Sequence, residues 1–284
     1  MSATVPPLTI IFISVSLALA FAMPIVLAVW LHKRARAEVL PFFVGCAIFL
    51  VFALVLESLM HQAVLNASPA GPVILGNIWL YAVYGGLAAG IFEETGRLVA
   101  FAWLLRRHRE NDANALMYGA GHGGFECMVV LGIGMATDLI FAVMINSGGM
   151  DALFALVSAT PGMDASTMAE VQGSLEAIAA SLVGSAPVVF ILGAVERVFA
   201  IIIHLSLSVL VWFAVKTPGK KWLFPAAIGL HAAVDGVTVV ASDVLGSSVG
   251  AMIGLEAIVG VMAVCVALIA RRVWRSCASV RPRA

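Results

Sequence analysis

Apolar runs long enough to cross a lipid bilayer, more than any short motif, limit what this chain can fold into. A spanning helix needs about 20 predominantly apolar residues. Hydropathy places seven such runs, at about 8–31, 39–61, 78–104, 114–146, 186–215, 222–241 and 250–270. Backbone polar groups in hydrocarbon must find their partners within the segment, so each run is read as a helix. Composition agrees, with 62% of the 284 residues hydrophobic and 11% charged, against about 25% charged in soluble domains. The expected fold is therefore all-α, a polytopic transmembrane bundle of about seven spans, with residues 1–284 forming one integral membrane domain. The first run is read as a retained span, because it is too long for a signal-peptide core and is followed by His32, Lys33, Arg34 and Arg36.

Charge sets the orientation and excludes one class of partner. Lys33, Arg34 and Arg36, then Arg106, Arg107 and Arg109, then Lys216, Lys220 and Lys221, and finally Arg271, Arg272, Arg275, Arg281 and Arg283 all fall on one side of this layout. By the positive-inside rule the N-terminus is outside and the C-terminus in the cytoplasm. Sixteen basic and sixteen acidic residues give a net charge of zero with no clustered basic face, which excludes nucleic acid as a partner and leaves the lipid bilayer and membrane-borne molecules. Cys46, Cys127, Cys265 and Cys277 show neither CxxC nor Cys/His zinc spacing. The outer segment 147–185 carries the breakers Gly148, Gly149, Pro161 and Gly162 and the acids Asp151, Asp164, Glu170 and Glu176. It is read as a solvated cover whose second half, about 164–182, forms an interfacial amphipathic helix.

Ionisable side chains inside a bilayer are costly unless paired or wet, so each is a candidate functional group. Glu93, Glu94, Arg97, His122, Glu126, His204, His231 and Asp235 lie within the spans. At about 1.5 Å of rise per residue, Glu94, His122, His204 and His231 share a depth of roughly 14 to 16 Å on four different helices. In EETGR, both Glu93 and Glu94 stand within one turn of Arg97, which can hold one carboxylate charged while burial favours the neutral form of the other, as a general base requires. In YGAGHGGFE, His122 and Glu126 are one turn apart, so Glu126 is expected to orient the His122 ring, and the flanking glycines admit a close neighbour. HAAVD repeats the spacing with His231 and Asp235. Glu196 and Arg197 count to about 27 Å from the cytoplasmic end and are read as an outer-leaflet ion pair, leaving His204 as that span's contribution. Glu57, His61, Asp138 and Glu256 fall near outer span ends and are read as interfacial.

A double Glu followed by a basic residue, then an aromatic-x-x-x-His element, then a terminal HxxxN/D on successive spans resembles the superfamily of intramembrane endopeptidases that holds the CAAX-prenyl proteases, the Abi group and the PrsW type. The closest resemblance is to its YhfC-type branch of intramembrane peptidases, through Glu93-Glu94-x-x-Arg97, GxGHGGFE at Gly119 to Glu126, the Glu196-Arg197 pair with His204, and His231-x-x-x-Asp235. The resemblance implies an eight-helix or similar bundle with a conical cavity, where a glutamate assisted by histidines activates water against a peptide bond. A metal-dependent mechanism has also been proposed for such enzymes. Carried over, Glu94 or Glu93 is the general base, Arg97 its charge partner, His122 and His231 the groups that bind water or stabilise the oxyanion, and Asp235 the motif-three acid. Two residues rather than three separate the double Glu from Arg97, and Tyr118 replaces Phe in the aromatic element. His122-x-x-x-Glu126 answers the PrsW-type FxxxE, which leaves the second-motif role to His122, Glu126 or both. Seven spans meet eight only if the outer segment contributes a helix.

The expected function is hydrolysis of a peptide bond in a membrane-anchored protein or peptide, with Glu94 placed ahead of Glu93 as base and His122, His204 or His231 facing the oxyanion. A proton-coupled transporter and a catalytically idle membrane scaffold are the competing readings. No cofactor is favoured over a glutamate-activated water; were zinc present, His122, His204 and His231 with a Glu would be its ligands, there being no HExxH. The charge asymmetry predicts that reporter fusions after Ala70 and Gly149 report an outer location and fusions after Arg109 and Lys221 a cytoplasmic one. An inner location for the Gly149 fusion would overturn both the layout and the shared depth.

Overall fold

The computed structural model describes residues 4–159, 162 and 164–278. Pro161 and the tail residues Arg281 and Arg283 lie outside the described residues, as does the side chain of Asp151. The described chain runs through ten helices: α1 (Pro7–Ala35), α2 (Leu40–Asn66), α3 (Ala70–Leu75), α4 (78–104), α5 (Ala113–Ser147), α6 (Gly149–Ser158), α7 (Ala165–Gly184), α8 (Val189–Lys216), α9 (Leu223–Leu245) and α10 (Val249–Cys277). Their ends follow from local chemistry. Pro7 opens α1 with its fixed φ, where no amide donor is missed. Asn77 Oδ1 accepts from the amides of Trp79 and Leu80 at 3.0 and 3.2 Å at the start of α4, and Ser248 Oγ accepts from Ala251 at 3.1 Å at the start of α10. Gly148, at φ 74°, ends α5 in the left-handed region that glycine tolerates.

Six of these helices, α1, α2, α5, α8, α9 and α10, are long and apolar enough to cross a membrane. The third expected span is present as continuous helix over 78–104, but Glu93, Glu94 and Arg97 keep it out of that apolar set. The outer segment is more ordered than a plain cover, because it supplies both α6 and α7. Helix α7 fulfils the expectation of an amphipathic helix: Asp164 caps it through Thr167 at 2.7 Å, and Leu182 and Ile178 pack against Ile13, Ala142 and Phe190 of the bundle. This is an integral membrane protein.

Helix α8 is the axis of the bundle. In its most apolar stretch 67% of residues are buried, against 17–22% in the other five apolar helices, whose outer faces are left to lipid. Around it stand α1, α4, α5, α9 and α10. At one end, Asp112 accepts from Trp212 Nε1 at 2.8 Å and from Lys216 Nζ at 2.5 Å, and Asn111 Nδ2 donates to the Arg36 carbonyl at 2.7 Å. These bonds gather the basic loops around residues 36, 106–109 and 216 at the same end.

Glycine lets the helices that carry the polar groups approach to backbone contact. A Cβ on Gly121 would lie 1.9 Å from the Phe42 carbonyl oxygen, and one on Gly86 would lie 2.4 Å from that of Ala232. Gly121→Ala is therefore expected to lower the thermal unfolding midpoint in detergent by the equivalent of about 1–3 kcal/mol or more, since α2 and α5 must separate. Gly134→Ala, where nothing lies within 4 Å, is expected to hold the midpoint or raise it.

Candidate active site

Close approach decides which polar residues meet. Gly86 seats α4 on α9, which brings Glu94 beside His231. On α5, Gly123 leaves the space that the His204 ring fills: a Cβ there would fall 2.8 Å from the ring Cδ2. Four helices, α4, α5, α8 and α9, so converge on one buried cluster.

Arg97 is its hub. The side chain is fully buried; Nη1 donates to Glu94 Oε1, Nη2 stands 2.6 Å from His204 Nδ1, and Nη2 lies 3.6 Å from Glu93 Oε2. Glu93 Oε2 also accepts from His122 Nε2 at 2.8 Å and lies 3.9 Å from His204 Nδ1. Glu94 Oε1 faces His231 Nδ1 at 2.8 Å, while His231 Nε2 lies 3.5 Å from Asp235 Oδ2. His204 Nε2 meets Glu126 Oε2, whose other oxygen accepts from Arg197 Nη1 at 2.7 Å; Arg197 Nη2 donates to Glu196. The three imidazoles form a row, with centroids 5.2 Å apart from His122 to His204 and 5.7 Å from His204 to His231. Phe49 sets its ring edge-to-face on His122 at 5.2 Å and closes that end.

A cavity of about 290 Å³ opens on this cluster. Its polar wall is Glu93, Glu126, Glu196, Arg197, His204, His231 and Asp235, and its apolar wall includes Ile203, Val234 and Val259. Glu94 is not part of the lining: it is fully buried behind Glu93, held between Arg97 and His231.

The shared depth expected of Glu94, His122, His204 and His231 corresponds to one contiguous cluster. One pairing differs from expectation, and another extends further than expected. Glu126 does not orient His122; the rotation of α5 turns it towards α8, where it meets His204 and Arg197, and His122 Nδ1 has Tyr118 Oη at 3.5 Å instead. The expected Glu196–Arg197 pair is present, and Arg197 in addition lines the cavity and bridges to Glu126. Sequence reasoning passed over Thr238, also on the cavity wall; it stands seven residues after His231 and three after Asp235, a spacing that puts all three on one face of α9. Glu57 and His61 pair with each other at 3.2 Å, and His61 Nδ1 meets Tyr84 Oη at 2.9 Å; these residues, Asp138 and Glu256 do not line the cavity.

Metal-binding chemistry is present, with a different membership from that expected. Glu93, His122 and His204 each offer one ligand atom within 4.8 Å of the others, all buried, whereas His231 is flanked by Glu94 and Asp235. One carboxylate and two imidazoles form an N/O donor set of the kind that catalytic zinc uses.

The family model described as YhfC intramembrane metalloprotease matches residues 19–259. The chain is also 34% identical over 223 residues, 78% of this chain and 81% of the relative, to YhfC of Bacillus subtilis (strain 168), described as an uncharacterized membrane protein. No solved structure matches the chain.

Breaking a buried ion pair by removing one partner costs about 3–5 kcal/mol, because the other charge is left uncompensated. Arg97→Gln is accordingly expected to abolish or severely lower the cooperative thermal transition in detergent. Adding Glu94→Gln to the same chain should recover part of that loss, and a double variant no more stable than Arg97→Gln would contradict the pairing.

Proposed function

Since the chain belongs to the YhfC family of intramembrane metalloproteases, we propose that it is an endopeptidase that hydrolyses a peptide bond of a membrane-anchored protein or peptide in a bacterial plasma membrane. The observation that carries this reading is the meeting of Glu93 and His204 at the wall of a polar cavity enclosed by apolar helices, with His122 buried against Glu93 at 2.8 Å.

Glu93 is the group that accepts the proton of the attacking water. It borders the cavity, whereas Glu94 is shut behind it, which supports Glu93 ahead of Glu94 as the base. His122, 2.8 Å from Glu93 Oε2, fixes the carboxylate and leaves its second oxygen to the water. Arg97 offsets one of the two carboxylate charges without needing solvent, and His231 stands on Glu94 as a further partner. Water adds to the substrate carbonyl carbon, and the oxygen that takes up charge is met by His231 Nε2, whose 3.5 Å contact with Asp235 is loose enough to be shared. Glu94 holds that ring through Nδ1. A preorganised donor of this kind contributes about 3–4 kcal/mol. The C–N bond then breaks as Glu93 returns its proton to the departing amine, so the carboxylate ends as it began.

The same donors fit a metal ion. Glu93, His122 and His204 would hold it, and a bound zinc supplies Lewis-acid activation of water. Arg97 stands 2.6 Å from His204 Nδ1, so that nitrogen is already engaged, which favours the glutamate-activated water; the family description favours the metal.

With purified full-length protein in nanodiscs and membrane-anchored peptides, Glu93→Gln is expected to lower cleavage by about 100-fold or more. Glu94→Gln and His231→Ala should lower it through the oxyanion donor, and Asp138→Asn should keep most of it. Chelation is expected to leave activity intact. One tightly bound zinc per chain, lost and restored in parallel with activity, would reverse the choice of mechanism.

A further inference from the structure

Arg197 is a cation to which the hydrolytic steps give no task, yet it is only 9% exposed and forms part of the cavity wall. A charge in such surroundings persists only when paired, and Arg197 is paired twice, with Glu126 and with Glu196. Glu126 spends its two oxygens on different partners: Oε1 accepts from Arg197 Nη1 at 2.7 Å, and Oε2 meets His204 Nε2. At the opposite edge of the same ring, Arg97 Nη2 stands 2.6 Å from Nδ1. A guanidinium has donors and no acceptor, so Nδ1 must accept, and the ring proton stands on Nε2, the nitrogen in ion-pair contact with Glu126 Oε2. Two arginines thus clamp His204 from both edges, Arg97 directly and Arg197 through a carboxylate. A carboxylate that fixes the tautomer of a working imidazole is itself held by a further donor for the same reason.

We propose that Arg197 is a positioning residue of the hydrolytic site: through Glu126 it holds His204 in the Nε2–H tautomer, with the ring edge set beside Glu93, and thereby fixes the wall against which the attacking water is placed. The proposal rests on the hydrolytic reading of Glu93 but concerns contacts on α5 and α8 that can be observed without turnover. Glu93 Oε2 lies 3.9 Å from His204 Nδ1, so a ring released by Glu126 would turn away from the carboxylate it now faces. Substrate need not touch Arg197 for this to matter, and its loss should fall on the chemical step, not on binding.

The test uses full-length protein in nanodiscs carrying 15N-labelled histidine, with the His204 tautomer read by solid-state NMR and assigned by the signal lost in His204→Gln. Cleavage of a membrane-anchored peptide is measured on the same samples. Wild type is expected to show a protonated Nε2 and an unprotonated Nδ1. Arg197→Met should give mixed tautomers and lower kcat by about tenfold or more with KM held within about twofold, and Arg197→Lys should recover most of both. An unchanged tautomer with unchanged kcat would overturn the proposal, as would a raised KM at constant kcat, which would place Arg197 in direct contact with substrate. If Arg197→Met fails to accumulate, Glu126→Gln, which keeps the shape and removes the charge, carries the same expectation, and an unaltered tautomer there overturns it. Absence of cleavage by wild type would sink the hydrolytic reading, while the tautomer comparison would still decide whether Arg197 holds the ring.

Discussion

A guanidinium at the centre of an apolar bundle has to be neutralised where it stands, and the arrangement of this protein follows from how that is done for Arg97. Glu94 takes one nitrogen, while Glu93 and His204 share the other. Each of those partners then needs its own: His122 for Glu93, His231 for Glu94, Glu126 for His204. The chain of requirements ends only at Arg197 and Glu196, on the cavity wall. Removing water makes every one of these contacts stronger and every unmade one more costly, so the network has little tolerance for partial assembly.

Such a network can form only if helix axes come closer than side chains normally allow. Gly86 and Gly121 bring α4 to α9 and α2 to α5 at backbone contact, and Gly123 yields its side-chain volume to the His204 ring. Packing in a bilayer draws little on hydrophobic burial, because lipid tails are as apolar as the helices; close contact and internal polar bonds supply the drive instead. The glycines and the buried ions are therefore two parts of one solution. The first sets the spacing, and the second rewards it.

Much of this was legible in the sequence, for physical reasons. Run length reveals a span, because the bilayer has a fixed thickness, and the rise per residue converts position to depth, which is why the histidines on three helices and Glu94 could be placed in one layer. The amphipathic α7 was likewise visible in its spacing. What sequence spacing does not encode is how each helix is rotated about its axis. A residue four positions away is the obvious partner within a helix, and for His231 and Asp235 that held, at 3.5 Å. For His122 and Glu126 it failed, because α5 is turned by its glycine contacts so that Glu126 looks across to α8. The π-type turn at Met128–Gly132, just beyond Glu126, adds a local change of pitch that no propensity foretells. Depth alone set Arg197 apart with Glu196, with which it does pair, but gave no sign that its long side chain also reaches Glu126.

The central claim, that Glu93 and its histidine partners direct water at a peptide bond, is tested most directly by the origin of the oxygen in the product. Cleavage of a membrane-anchored peptide in water enriched in 18O should place one label in the new C-terminal carboxylate, with label incorporation lost in Glu93→Gln and retained in Asp138→Asn. Labelled product formed by Glu93→Gln at the wild-type rate would contradict the account.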